Sequence, residues 1–191
     1  MNRILYLLIP LGLLVVFSFQ DEKESRVKVW SGSSCLQAAD FRMERAPAAA
    51  MKTASQGKNG SLEGYIFCGI EFSYEVEGTE IQYKVIALME PDKSWLRDST
   101  NRSTLEHEQA HFNIAEVYAR RIRRELAGEQ HPERAKSMVK RNLLRLQKRQ
   151  IDFDKDHVNE EGLNSTWKTW IDQELSSLTM YQENQFTVYK K

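Results

Sequence analysis

The chain has no charge imbalance: lysine plus arginine and aspartate plus glutamate both total 27 in 191 residues. With no global field to attract a polyanion, nucleic acid is excluded as the expected partner. Only two cysteines occur, Cys35 and Cys68. Two thiolates far apart in sequence cannot complete a structural zinc knuckle, and one disulfide or two free thiols are both compatible with the count. No long apolar run follows residue 17, and neither an internal repeat nor a low-complexity segment is found. The one apolar stretch, residues 4–17, is broken only by Pro10 and Gly12 and follows Arg3. Its length suits an export signal and is short for a membrane span, although an uncleaved N-terminal anchor is the alternative. The absence of a cysteine just after it rules out a lipoprotein anchor there.

Residues 1–20 are therefore assigned to a signal or anchor, and residues 21–191 to one domain, since some 170 residues hold one core and not two ordinary ones. Any membrane contact is expected only through the N-terminal segment. The protein is expected outside the cytoplasm, secreted, periplasmic or in the cell envelope.

The first half of that domain reads as extended chain. Ile70, Phe72, Tyr74 and Val76 alternate with Glu71, Ser73, Glu75 and Glu77, which is the period of a half-buried strand. A turn at Gly78 and renewed alternation through Ile81, Tyr83 and Val85 predict a hairpin. Residues 26–30 add a third strand, and residues 46–64 a short helix followed by a loop.

From Ser103 the pattern is helical. Ser103 and Glu106 fit a capping box, and an apolar stripe runs through His107, His111, Ile114, Ala115, Tyr118 and Ile122. Glu116, Arg120, Arg123 and Arg124 are placed on the opposite, polar side, and Gly128 marks the stop. A second helix is predicted from Pro132 to about Gln150, rich in basic residues that read as a solvated face. A third helix follows over residues 164–178, with Trp167, Trp170, Ile171 and Leu175 as its stripe. The expected fold class is α+β: a small antiparallel sheet followed by three helices, in the manner of a minimal zincin-like metalloprotease.

The chemistry lies in His107-Glu108-Gln109-Ala110-His111. Residues four apart on a helix differ by about 40° in direction, so both imidazoles can grip one ion while Glu108 reaches a water on it. A chance match to this pattern is expected in well under about one in a hundred such chains. A catalytic zinc ion (Zn2+) takes three protein ligands, so a third is needed. Neither Glu116 nor Val117 serves. The segment between the second and third helices offers His157, Glu160 and Glu161, and His131 reads as a surface or capping residue. Trp95, after Ser94, either borders a substrate groove or covers the core.

The longer string from Leu105 to Arg120 resembles the predicted secreted zinc-dependent proteases of bacteria, a family whose domain has no assigned function. Asp40-Phe41, the alanines at 48–50 and Ser94-Trp95 agree with the same resemblance. It implies His107 and His111 as zinc ligands and Glu108 as the catalytic base. That family tends to carry Tyr-Asp, then Thr-x-His and a small residue, then a glutamine and a tryptophan. Phe153-Asp154 and Trp170 match the two ends, but the spacing is longer by one and the histidine position falls near Glu160. The resemblance thus implies Glu160 as third ligand, or His157 through a local shift, and Glu161 stays as the other alternative the segment offers. The expected activity is hydrolysis of peptide bonds in a peptide or protein substrate of the cell envelope or exterior. The rival expectation is a non-catalytic zinc-binding envelope protein or binding module on the same fold.

Overall fold

The structure is a computed structural model that describes residues 3–7, 26–32, 35–43, 63–156 and 163–190. Strands are β1 (Arg3–Leu7), β2 (Lys28–Val29), β3 (Gly64–Tyr65), β4 (Cys68–Glu77), β5 (Glu80–Met89), β6 (Trp95–Leu96) and β7 (Gln185–Tyr189); helices are α1 (Arg102–Leu126), α2 (Pro132–Lys155) and α3 (Ser165–Ser177). The expected α+β class holds: small antiparallel sheets beside three helices.

β4 and β5 form the predicted hairpin, paired from Cys68↔Met89 to Glu77↔Glu80. Gly78 turns it at φ +57, which glycine adopts without a Cβ penalty. In β5 burial alternates through Ile81, Tyr83 and Val85 and then becomes continuous to Met89, as the sequence pattern requires. On β4 the apolar face is deep at Ile70 and Phe72, but Val76 is exposed, because the hairpin tip runs past the core. β2 and β7 share the other edge of β5, meeting it at Met89 and Leu88 and over Glu80–Lys84 respectively. β1, from the segment assigned to export, pairs antiparallel with β4 over Ile70–Tyr74. No described helix is long and apolar enough to cross a membrane. The helix and loop expected over residues 46–64 lie outside the described residues, apart from Glu63 and Gly64.

α1 packs against β4 and β5 on one side and against α2 and α3 on others. Its N-cap is Asn101, whose side chain accepts from the Thr104 amide at 3.0 Å. The capping box expected from Ser103 is therefore corrected: asparagine caps as well as serine, and Ser103 falls inside the first turn. The second correction is larger. Glu116, Arg120 and Arg123 are buried, not solvated. Arg123 donates to Glu116 (Nη1–Oε1 2.9 Å), to the carbonyls of Val85 and Tyr181 and to Asn184, while Arg120 donates to Glu116 and to the Leu175 carbonyl. The chain returning from α3 covers this side of the helix, and its carbonyls meet the guanidinium donors that burial would otherwise strand.

α2 starts at Pro132 as expected, with His131 as its N-cap residue. It runs on to Lys155, five residues past the expected end. Leu146, Gln150 and Phe153 are all buried on one face, so the apolar stripe pulls the helix through a segment that polar residues mark as a turn. α3 matches its expected limits, with Asn164 as N-cap accepting from the Thr166 amide at 2.8 Å.

Candidate metal centre

Because α1 and α2 pack side by side, each brings a pair of residues one turn apart to the same place: His107 and His111 from α1, Gln150 and Asp154 from α2. The two histidine Nε2 atoms are 3.0 Å apart; Asp154 Oδ1 is 2.8 Å from Nε2 of His111 and 3.3 Å from Nε2 of His107. Among the described residues these three groups are the cluster able to hold a metal ion. Tetrahedral zinc with bonds of about 2.0–2.1 Å separates its ligand atoms by about 3.3–3.4 Å. The observed triangle is slightly tighter, so an outward relaxation of a few tenths of an ångström accommodates the ion. The donor chemistry, two imidazoles and a carboxylate, also suits zinc.

Phe153 forms the floor. Its ring stacks on His107 (centroids 4.7 Å, 24°) and meets His111 edge-on (4.8 Å, 88°) and Trp167 edge-on (5.2 Å, 77°). Only 1% exposed, it removes one route for water and limits both imidazole rotamers.

The electrostatics are those of a tight ion pair. Burial opposes charge on His111, but Asp154 beside it outweighs burial and lifts its pKa to about 9. Burial likewise works against ionised Asp154, and the two histidines overcome it, holding the carboxyl well below the usual range.

Glu108 is buried, 4% exposed. Burial raises its pKa; His107 and His111 and a hydrogen bond from the Ile66 amide oppose the rise. β3 reaches it directly, since Gly64 lies against the Glu108 carboxylate with no room for a side chain. Tyr65 and Cys68 are close enough for Glu108 to add to the burial that pushes both of their pKa values up, which keeps phenol and thiol neutral. Cys35 and Cys68 are separate free thiols.

The structure thus brings His107, Glu108 and His111 together, as the motif requires. His157, Glu160 and Glu161, the expected sources of the third ligand, lie outside the described residues. Asp154 is the acid that sequence reasoning passed over. It stands next to Phe153, and repeating the four-residue step from Leu146 to Gln150 once more reaches it, on the same face of α2. Trp95 is 7% exposed, paired with Tyr65 between β6 and β3, and its Nε1 has no hydrogen-bond partner among the described residues. Ser94 is fully buried, accepting from the Phe67 amide at 3.0 Å and donating to the Glu90 carbonyl at 2.8 Å, so it braces the turn before β6.

Fold and site together define an α+β protein with a two-histidine, one-carboxylate cluster beside a buried glutamate. Residues 87–162, which run from β5 through α1 and α2, match a family described as bacterial protein of unknown function (DUF922). No curated protein and no solved structure was found to match the chain.

Proposed function

We propose that the chain is an exported, zincin-like zinc metallopeptidase that hydrolyses peptide bonds in a substrate of the cell envelope or exterior. The observation that carries this reading is the convergence of His107 Nε2, His111 Nε2 and Asp154 Oδ1 beside the buried carboxylate of Glu108. These residues would hold zinc, and three protein ligands leave a position for water. When bound, the metal would acidify that water and polarise the scissile carbonyl.

The chain's own residues do the rest. A carboxylate oxygen of Glu108 takes a proton from the attacking water and returns it to the leaving nitrogen. Burial, which raises the Glu108 pKa, helps it hold that proton between the two steps. The Ile66 amide and the Gly64 notch keep the carboxylate in place. Phe153 fixes the imidazoles and limits water on their far side.

One observation favours a second reading. Asp154 already supplies a third donor, so any ligand from residues 157–161 would be a fourth and would close the site, leaving zinc structural in a non-catalytic envelope protein. The Glu108→Gln variant tests the enzyme directly. It is expected to keep one zinc per chain and to lose at least about 10²- to 10⁴-fold in peptide hydrolysis. Unchanged hydrolysis by the zinc-loaded variant would defeat the mechanism. Wild type that binds zinc and cleaves none of a diverse peptide library would favour the structural site.

A further inference from the structure

His111 is held at both ring nitrogens by residues one turn apart on α2: Asp154 at Nε2 and Gln150 at Nδ1. Gln150 is 6% exposed and spends both polar atoms of its amide on the same residue. Its Nε2 donates to the His111 backbone carbonyl at 3.0 Å. That contact fixes which way the amide faces: with Nε2 turned to a carbonyl, Oε1 is the atom at the ring, and an oxygen can only accept. His111 Nδ1 must therefore carry a proton, and since the Asp154 carboxylate at Nε2 can also only accept, the proton that a metal displaces is the one on Nε2, while Gln150 holds the one on Nδ1. His107 has no such anchor. Its Nδ1 is buried without a hydrogen-bond partner among the described residues, and its ring is placed by stacking on Phe153.

We infer that Gln150 is the positioning residue of the metal centre: it sets the tautomer and the orientation of His111, so that this histidine is the preorganised ligand and His107 the adaptable one. The inference rests on the zinc site proposed above. Outer partners of ligating histidines act by fixing the ring and raising its basicity, and their loss typically weakens metal binding about 10- to 100-fold. An amide that also ties the helix carbonyl fixes the ring more completely than a lone acceptor would, because it cannot rotate without losing both contacts.

The test uses the full chain in three forms: wild type, Gln150→Met, which fills the amide's volume and makes neither hydrogen bond, and Gln150→Glu, which keeps an acceptor for Nδ1. Zinc affinity is measured by competition with a chromophoric chelator, and the ring tautomer of His111 by long-range proton–nitrogen NMR in alkaline buffer of metal-free chains that also carry Asp154→Ala, so that no carboxylate competes for a proton on Nε2. The expected result is about 10- to 100-fold weaker zinc binding in Gln150→Met, rescue to within about tenfold of wild type in Gln150→Glu, and, in the Asp154→Ala background, an Nδ1–H tautomer with Gln150 present that Gln150→Met loses. A merely structural glutamine would not be rescued by glutamate, and its loss would leave the tautomer unchanged. Equal affinity in wild type and Gln150→Met, or the Nε2–H tautomer in the Asp154→Ala chain that keeps Gln150, would overturn the inference. Should wild type bind no zinc while the Nδ1–H tautomer is observed, the metal reading fails and the role of Gln150 in setting the ring stands.

Discussion

Gly64 lies so close to Glu108 that a Cβ at this glycine would sit 2.7 Å from Oε1 of the glutamate, and only 2.6 Å from Cγ2 of Thr104. β3 and α1 thus meet at van der Waals limit at the residue assigned the proton transfer. Gly64→Ala is expected to push the carboxylate aside, lowering kcat by about 10- to 100-fold through misplacement and costing about 1–3 kcal/mol by overpacking, with zinc content unchanged. Steady-state kinetics and denaturant melts check this. Wild-type kcat in Gly64→Ala would show that the notch has no part in placing the base.

Metal and proton should compete at His111. In the metal-free protein its pKa is raised to about 9 by Asp154 against the opposing effect of burial. Below pH 9 zinc must displace a proton, so apparent affinity should fall about tenfold per unit as pH drops. Near pH 7, calorimetry in buffers of different ionisation enthalpy should record about one proton released per zinc. Release of none would mean that the ring is already neutral.

The same pair shapes the stability of the metal-free form. A raised histidine pKa stabilises fully below the unfolded value of about 6.5, and that contribution is lost as pH rises through about 9. Asp154, depressed by the histidines, contributes above about pH 3.8 and loses that contribution as pH falls below it. Melting temperature without metal should therefore be highest between about pH 4 and 6.5 and decline towards pH 9. The decline should be smaller in Asp154→Asn, with the part due to Glu108 remaining.

Glu116 is 2% exposed and shared by Arg120 and Arg123, themselves 6% and 1% exposed. Glu116→Gln removes the charge that both guanidinium groups face. Uncompensated buried charge typically costs about 3–5 kcal/mol, which urea denaturation would read. Because the network ties α1 to the carbonyls of Leu175 and Tyr181 and lies on a side of α1 away from His111, zinc stoichiometry should be retained. A loss under about 1 kcal/mol would mean that water reaches these groups.

The strongest local signals in the sequence were those carried by one element's own periodicity. The β4–β5 hairpin shows in strict alternation with a glycine turn, and α1 shows in a stripe that includes both motif histidines. What stayed hidden depends on covering elements. The charges of Glu116, Arg120 and Arg123 look solvated until the chain after α3 folds over them. β7 carries only Phe186 and Val188 as apolar alternation, too short a pattern to stand out. Asp154 is obscured by its neighbours: Asp152, Lys155 and Asp156 give the segment a turn-like composition, while Phe153, packed beneath the two histidines, carries the apolar stripe through it. In the sequence Gln150 is no more than the end of a helical stripe, because an amide's role as partner to a ring nitrogen appears only when two helices meet.

The most direct measurement is metal content by mass spectrometry on purified wild type, His111→Ala, Asp154→Ala, His157→Ala and Glu160→Ala, in parallel. The account predicts one zinc per wild-type chain, lost in His111→Ala and Asp154→Ala and retained in the other two. A wild-type chain that takes up no zinc after reconstitution, or an Asp154→Ala chain that holds it as tightly as wild type, would contradict it.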